Sequence, residues 1–300
     1  MPPLPSDRAH LHGIVLVLIA GVIWSCSGLV VRALDAAAGW QIVFYRSLGL
    51  AVAMLVAIAV VNRGCVIAAF RAAGMAALIG GLCLAICFST YVFALLHASV
   101  ASVAFILSAS PLSAAVLGWL VLGERVRPAT WIASLSALIG VGIMVAGSLD
   151  GGGIIGMMFA LVTQAAFAGF SVALRSRPGI DMYPTVCWAG VLALLVSGLA
   201  VGIGGGLDLS AWDVSLCLFF GIGQLALGMM FYTLGARVLS AAELTLLSLG
   251  EVALNPIWVW LAFDEVPTTS TLAGGSVVLA AIAFQAWHGL RRRLPSIGIS

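Results

Sequence analysis

Apolar residues run along this chain in blocks of about twenty, separated by short stretches that hold nearly all of its charge. About twenty residues at 1.5 Å rise cover the roughly 30 Å hydrocarbon core of a bilayer. The pattern therefore predicts ten membrane-crossing helices, over 13–34, 40–61, 72–95, 99–122, 129–148, 153–174, 183–203, 212–235, 240–263 and 271–290. The polar stretches are too short to hold a soluble domain, and they force consecutive helices to be neighbours. The expected fold class is an all-α membrane protein.

The chain also resembles itself at a fixed offset of 141 residues. Gly80 matches Gly221, Leu84-Ala85 matches Leu225-Ala226, and Tyr91 matches Tyr232. Ser99 then matches Ser240, Trp119-Leu120 matches Trp260-Leu261, and Glu124 matches Glu265. A gapless offset that holds at Tyr, Trp and Glu argues for a duplicated unit. Five helices per unit is an odd number, so the second copy is expected upside down, as two inverted five-helix repeats. The boundaries follow: a tail over 1–12, a first repeat over 13–150, a second over 151–290 and a tail over 291–300. The Gly-rich break after Asp150 is the seam.

Charge placement adds orientation. Eleven of the thirteen basic residues, all of them Arg, fall on one side: Arg8, Arg63, Arg71, Arg125, Arg127, Arg175, Arg177, Arg237 and Arg291–Arg293. Asp35, Asp150, Asp208, Asp213, Asp264 and Glu265 collect on the other, with only Arg32 near them. Positive residues stay inside, so both termini are expected in the cytoplasm. Composition agrees with a membrane protein: 63% of the 300 residues are hydrophobic and 8% are charged, with mean hydropathy +1.20. A soluble domain carries about a quarter charged residues. The net charge of +2 does not mark a nucleic-acid binder, because no basic stretch contains interleaved aromatics. The first apolar run lacks a small-residue cleavage site after it, so it reads as a retained helix.

Polar groups placed inside hydrocarbon are costly and are the first functional candidates. The ninth span holds Ser248, Glu251 and Asn255 at three- and four-residue spacing, one helix face, followed by Pro256. A carboxylate, an amide and a loosened backbone at mid-depth suit substrate binding or proton relay; a structural partnership with an Arg is the alternative. Arg46 in the second span either holds a substrate carboxylate or pairs with Glu251. Trp24, Tyr45, Tyr91, Gln164, Trp188 and Tyr232 join apolar bodies to single polar groups, and each either lines a cavity or packs. Ser108, before Pro111 in the fourth span, lies where the second repeat has the Leu249–Glu251 region, so the first repeat lacks the charge. Glu243 is expected at the interface, paired with Arg237. The fifth and tenth spans carry almost no deep polar groups and are expected at the periphery.

Catalytic signatures are missing from the sequence: there is no H-E-x-x-H, no G-x-S-x-G and no phosphate-binding G-x-x-x-x-G-K-[ST]. Six Cys lie mostly in apolar runs, and although Cys83 and Cys87 are one turn apart, no nearby His or further Cys completes a metal site. Neither a cofactor nor enzymatic activity is expected.

Three motifs give the chain a family likeness. Each repeat closes a long helix with W-L-x-x-x-E, as Trp119–Glu124 and Trp260–Glu265, and Pro111 stands thirteen residues before Glu124. Leu249-Gly250-Glu251-Val252 supplies the acidic residue of the second copy, with Trp24 and Arg46 in the first two spans. With these residues the chain resembles the drug/metabolite transporter superfamily, EamA-type exporters, over about residues 13–290. It departs at Val252, where Pro is usual, and at Asp264, where Gly is common. Within the superfamily it looks most like the bacterial aromatic amino-acid exporters. The resemblance implies a multi-pass protein of the bacterial inner membrane that exports amino acids, particularly large apolar ones, by alternating access. A small-molecule substrate and the lipid bilayer are the expected partners. Exporters of a sugar, polyamine or drug-like cation, an intramembrane enzyme, and a receptor or channel are the competing classes.

Overall fold

The computed structural model describes residues 7–26, 34, 38–98, 100–146, 153–177, 179–204, 206–263 and 268–291. Among them all regular structure is helical. The elements are α1 (Asp7–Ser25), α2 (Gly39–Val61), α3 (Val66–His97), α4 (Val100–Leu107), α5 (Ser110–Leu122), α6 (Pro128–Val145), α7 (Ile154–Arg175) and α8 (Tyr183–Gly204). They continue with α9 (Ala211–Phe219), a π-helical turn (Phe220–Ala226), α10 (Leu227–Gly235), α11 (Ala241–Ser248), α12 (Gly250–Phe263) and α13 (Thr269–Arg291). Nine helical segments in the described residues are long and apolar enough to cross a bilayer, and Pro128–Met144 is a shorter apolar helix.

Local sequence explains the ends. Pro128 opens α6 and Pro111 stands in the first turn of α5, positions where a missing N–H costs nothing. Ser240 and Glu243 form a reciprocal capping box at α11: the Ser240 N–H donates to Glu243 Oε2 at 3.0 Å, and the Glu243 N–H to Ser240 Oγ at 3.3 Å. Gly123 stops α5 in the left-handed conformation, φ +65°, which only Gly adopts without strain. The fourth and ninth predicted spans are each interrupted, at Ser108–Ala109 and at Leu249. Positions 108 and 249 are 141 residues apart, the repeat offset. The first helix starts earlier than the apolar block predicts, at Asp7, and the third starts at Val66 because the polar edge Arg71 is helical too.

Helix packing exchanges partners between the two halves. α2 lies on α8, α6 on α13, and α3 on α7, while α10 lies on α1. Close approach is bought by Gly: a Cβ on Gly81 would stand 2.9 Å from Thr185 O of α8, and Gly140 would meet Gly274 O of α13 at the same distance. Gly80 and Gly221, mates in the repeat, both face the opposite half: Gly80 meets Ala173 of α7 and Thr185 of α8, and Gly221 meets the α2 backbone at Arg46 and Leu50. Without a hydrophobic drive between helices in lipid, such contacts supply van der Waals cohesion.

Loop contacts sort the connections into two sets. Asn62 Nδ2 donates to Asp181 Oδ2 at 3.2 Å, and Arg237 pairs with Asp181 at 3.6 Å. Arg175 Nε donates to Glu124 Oε1 at 2.7 Å. The connections after α2, α5, α7 and α10 are thus tied together, and they hold the Arg-rich stretches. Separately, Gln41 Nε2 donates to Gly206 O at 3.1 Å, and Gly156 packs on the His97–Ala98 backbone.

Two expectations change here. Glu243 does not pair with Arg237: it accepts from Gln285 Nε2 at 3.0 Å and lies 3.9 Å from Arg127 Nη1, because the α6 and α13 ends reach it first. The fifth and tenth helices do hold buried polar groups, since Gln285 also donates to Thr130 Oγ1 at 3.1 Å and Ser134 is buried. Asp35, Asp150, the Gly151-Gly152 seam, Asp264, Glu265 and Arg292-Arg293 lie outside the described residues.

Candidate functional site

Part of the candidate set stands on α1, α2, α7 and α10, beside the π-helical turn. Its centre is an aromatic knot. Trp24 packs on Tyr232 (ring centroids 5.4 Å apart) and edge-on against Phe167 (6.4 Å), while Phe170 stacks on Tyr232 at 6.0 Å. Tyr232 is fully buried, and its hydroxyl is 2.7 Å from Ser171 Oγ. The indole of Trp24 occupies the space that a side chain at position 228 would need, so Gly228 is a seat for it.

Arg46 is 3% exposed and has no carboxylate within ion-pair distance among the described residues. Its guanidinium lies between two rings, 5.3 Å from the Phe88 centroid and 5.4 Å from Phe220, and Nη2 donates to Phe88 O at 3.2 Å. Cation–π contacts of this kind are worth more when desolvated, and they are what keeps a buried guanidinium here. Arg46 Nε has no partner among the described residues. The Arg46–Glu251 pair considered from sequence does not form among the described residues. Glu251 stands in the first turn of α12. Its backbone lies beside Gly21 of α1, and its carboxylate meets no donor among the described residues. Asn255, one turn on, is likewise half-buried.

Buried polar atoms in folded proteins almost always find partners. Among the described residues Trp24 Nε1 and Arg46 Nε are donors without an acceptor, and Gln164 Oε1 is an acceptor without a donor. Gln164 precedes Phe167 by three residues on α7, so it shares the face that touches Trp24. The arrangement offers donors from α1 and α2, acceptors from α7 and α12, and an aromatic cluster around Trp24.

Other candidates take different places. Ser108 Oγ donates to Phe105 O at 2.6 Å and Ser248 Oγ to Thr245 O at 2.8 Å, so both hydroxyls are spent within their own helices at the breaks. Tyr45 donates to Leu207 O at 2.9 Å and ties α2 to the connection after α8. Trp188 stands at right angles to Phe70, 5.7 Å away, and borders a surface groove that ends at Leu78. That is about two and a half turns before Cys87.

One contributor was missed in the sequence. Gln224 lies in the π-helical turn, is 6% exposed, and donates from Nε2 to Trp24 O at 2.8 Å. The turn also sets Gly221 directly against the Arg46 carbonyl. π-bulges concentrate at functional sites, but no periodicity announces one; the only signal was the amide within Gly221–Gly228.

Residues 11–146 match the EamA-like transporter family. Over 271 residues the chain is 26% identical to the pseudopaline exporter CntI of Pseudomonas aeruginosa (strain UCBPP-PA14), covering 90% of this chain and 94% of that protein. The riboflavin transporter of Rhizobium johnstonii is 29% identical over 176 residues, 58% of this chain and 57% of that transporter. A solved crystal structure, 18% identical, shares the fold with a TM-score of 0.76 over 91% of this chain and 97% of its own. The match over residues 11–146, together with relatives named as transporters, supports the likeness to EamA-type transporters of the drug/metabolite transporter superfamily.

Proposed function

We propose that this protein exports amino acids with large apolar, particularly aromatic, side chains across the bacterial inner membrane. The observation that carries this reading is the set of unpaired polar atoms around the aromatic knot. Trp24 Nε1 and Arg46 Nε suit a substrate carboxylate, while Gln164 Oε1 and the Glu251 carboxylate suit its ammonium. Trp24, Phe167 and Tyr232 offer ring faces to an aromatic side chain. Site roles for Tyr91, Asn255 and Gln224 belong to the same proposal.

Transport proceeds by alternating access between repeats 13–150 and 151–290, inverted with respect to each other, with both termini cytoplasmic. The two sets of tied connections support ten crossings. A crossing by α6 is part of this proposal; it is supported by the Arg175–Glu124 bond at the connection before it and by Gly156 of the next helix packing on His97–Ala98. The exchange of close contacts at Gly80 and Gly221 supports the inversion.

The test is transport into proteoliposomes of a labelled panel: aromatic, aliphatic and charged amino acids, riboflavin and a polyamine, each with and without an imposed pH gradient. Aromatic amino acids moving several-fold faster than the others sustains the proposal. A flat heterocyclic amphiphile is the second reading, favoured by the ring faces, and riboflavin moving alone would replace the amino-acid assignment.

A further inference from the structure

α3 is longer than a crossing requires. Its 32 residues would extend about 48 Å at 1.5 Å per residue, against roughly 30 Å of hydrocarbon. Gly74 divides it: φ +60° and ψ −152° break the helix there, a conformation that strains any residue with a Cβ. Met75–His97 is long enough to cross alone. The segment before the kink, Val66–Ala73, therefore lies at headgroup depth on the Arg-rich face, with Val66, Ile67 and Phe70 beside Arg71.

The kink opens a groove of about 360 Å³, lined by Val66, Ile67, Phe70, Arg71, Gly74, Met75, Leu78 and Trp188. Its walls are apolar and no acidic residue lines it. Ile67 and Met75 are two-thirds exposed or more. At its polar end the Arg177 guanidinium lies 4.0 Å from where a Gly74 Cβ would be, and Nη1 donates to Ala72 O at 3.3 Å. Arg127, Arg175 and Arg237 on the same face are each paired with a carboxylate. Arg71 and Arg177 are both exposed, and neither has an acidic partner among the described residues.

We propose that this groove is a specific site for an anionic phospholipid of the leaflet on the Arg-rich face. One acyl chain lies over Phe70, Met75, Leu78 and Trp188, and the phosphate is held between Arg71 and the N–H groups of Arg177 that Ala72 leaves free. Charge selects the lipid and the kink supplies the slot. A bound lipid fills the gap between α3 and α8 beside Trp188 and stiffens that contact.

The experiment uses the full chain in detergent, titrated with phosphatidylglycerol or with phosphatidylcholine of the same chains, and reads lipid adducts by native mass spectrometry together with melting temperature. Phosphatidylglycerol is expected to bind more tightly and to raise the melting temperature more. Arg71→Ala should weaken it about fivefold, as should Arg177→Gln, which keeps a donor for Ala72 O. Leu78→Trp, which fills the groove, should remove adducts of both lipids. Arg125→Ala, an exposed Arg of the same face outside the groove, should change nothing, and soluble glycerol phosphate should not compete. Equal affinity for the two lipids, or unchanged binding in the Arg71→Ala/Arg177→Gln double variant, overturns the proposal. Full competition by glycerol phosphate overturns it as well, by showing a phosphate site that does not need the acyl slot.

Discussion

Among the described residues Glu251 and Arg46 form no ion pair with each other, and that separation decides how each responds to substitution. A carboxylate at mid-bilayer costs at least about 2.5 kcal/mol on insertion scales, and the described residues give Glu251 no cation and no donor in return. Glu251→Gln strands no partner, so the melting temperature should hold or rise while transport of the preferred amino acid falls at least tenfold. Transport at the wild-type rate would remove Glu251 from the site and shift the acceptor role to Gln164. Arg46 answers differently. Its charge is held by Phe88, Phe220 and one carbonyl, and Lys has neither the flat face nor the forked donors, so Arg46→Lys should lower both melting temperature and transport. Trp24→Phe keeps a ring but loses the unpaired indole N–H. Transport KM should rise about two- to tenfold, the worth of one hydrogen bond, with a small loss of stability compared with Trp24→Ala. These residues were legible in the sequence because charge and aromatics stand out in apolar runs. Their pairings were not: whether Arg46 met Glu251 depended on two rings from other helices, and Ser108 and Ser248 look like site groups until their own carbonyls take their hydrogens.

Elements divide in the same way. Long hydrophobic blocks marked nearly every helix, since twenty apolar residues have few alternatives in a bilayer. The kink at Gly74, the π-helical turn at Phe220–Ala226 and the breaks at residues 108 and 249 were not legible, because each is set by what packs against the helix. Gly221 makes the point. Its backbone touches Arg46 O so closely that a Cβ has nowhere to go, and the obstructing atom is backbone. Gly221→Ala should therefore push α2 from the π-helical turn, cost about 1–3 kcal/mol of stability, and displace Arg46 enough to impair transport. Gly250→Ala is the control. Its nearest neighbour would be Ile282 Cδ1 at 3.7 Å, ordinary contact, and Ala is the better helix former. Thermal unfolding of the two variants should differ in sign or by several degrees; equal melting temperatures would mean that the π-helical turn yields freely and does not position Arg46.

At the scale of the whole molecule the question is whether the short helix α6 crosses. Pro128–Met144 reaches about 25 Å at 1.5 Å per residue, less than the average hydrocarbon thickness, and a bilayer thins around short helices at modest cost. At its start Arg127 reaches Glu243, and Gly156 of the following helix packs on His97–Ala98, contacts that suit a crossing. Reporters fused after Arg71, Arg177 and Arg293 should accordingly read cytoplasmic, and those after Asp150 and Asp208 external. The four positions beyond α6, Asp150, Arg177, Asp208 and Arg293, all discriminate. If α6 only dips into the membrane, the Asp150 reporter becomes cytoplasmic and Arg177 external, and the second half keeps the orientation of the first. That outcome would place Arg175, Arg177 and Arg237 on the side opposite Arg71 and Arg125, against the positive-inside rule, yet Arg175 bonds Glu124 beside Arg125 at 2.7 Å. One short hydrogen bond thus joins the charge bias to the inversion, and an external reading at Arg177 would break both together.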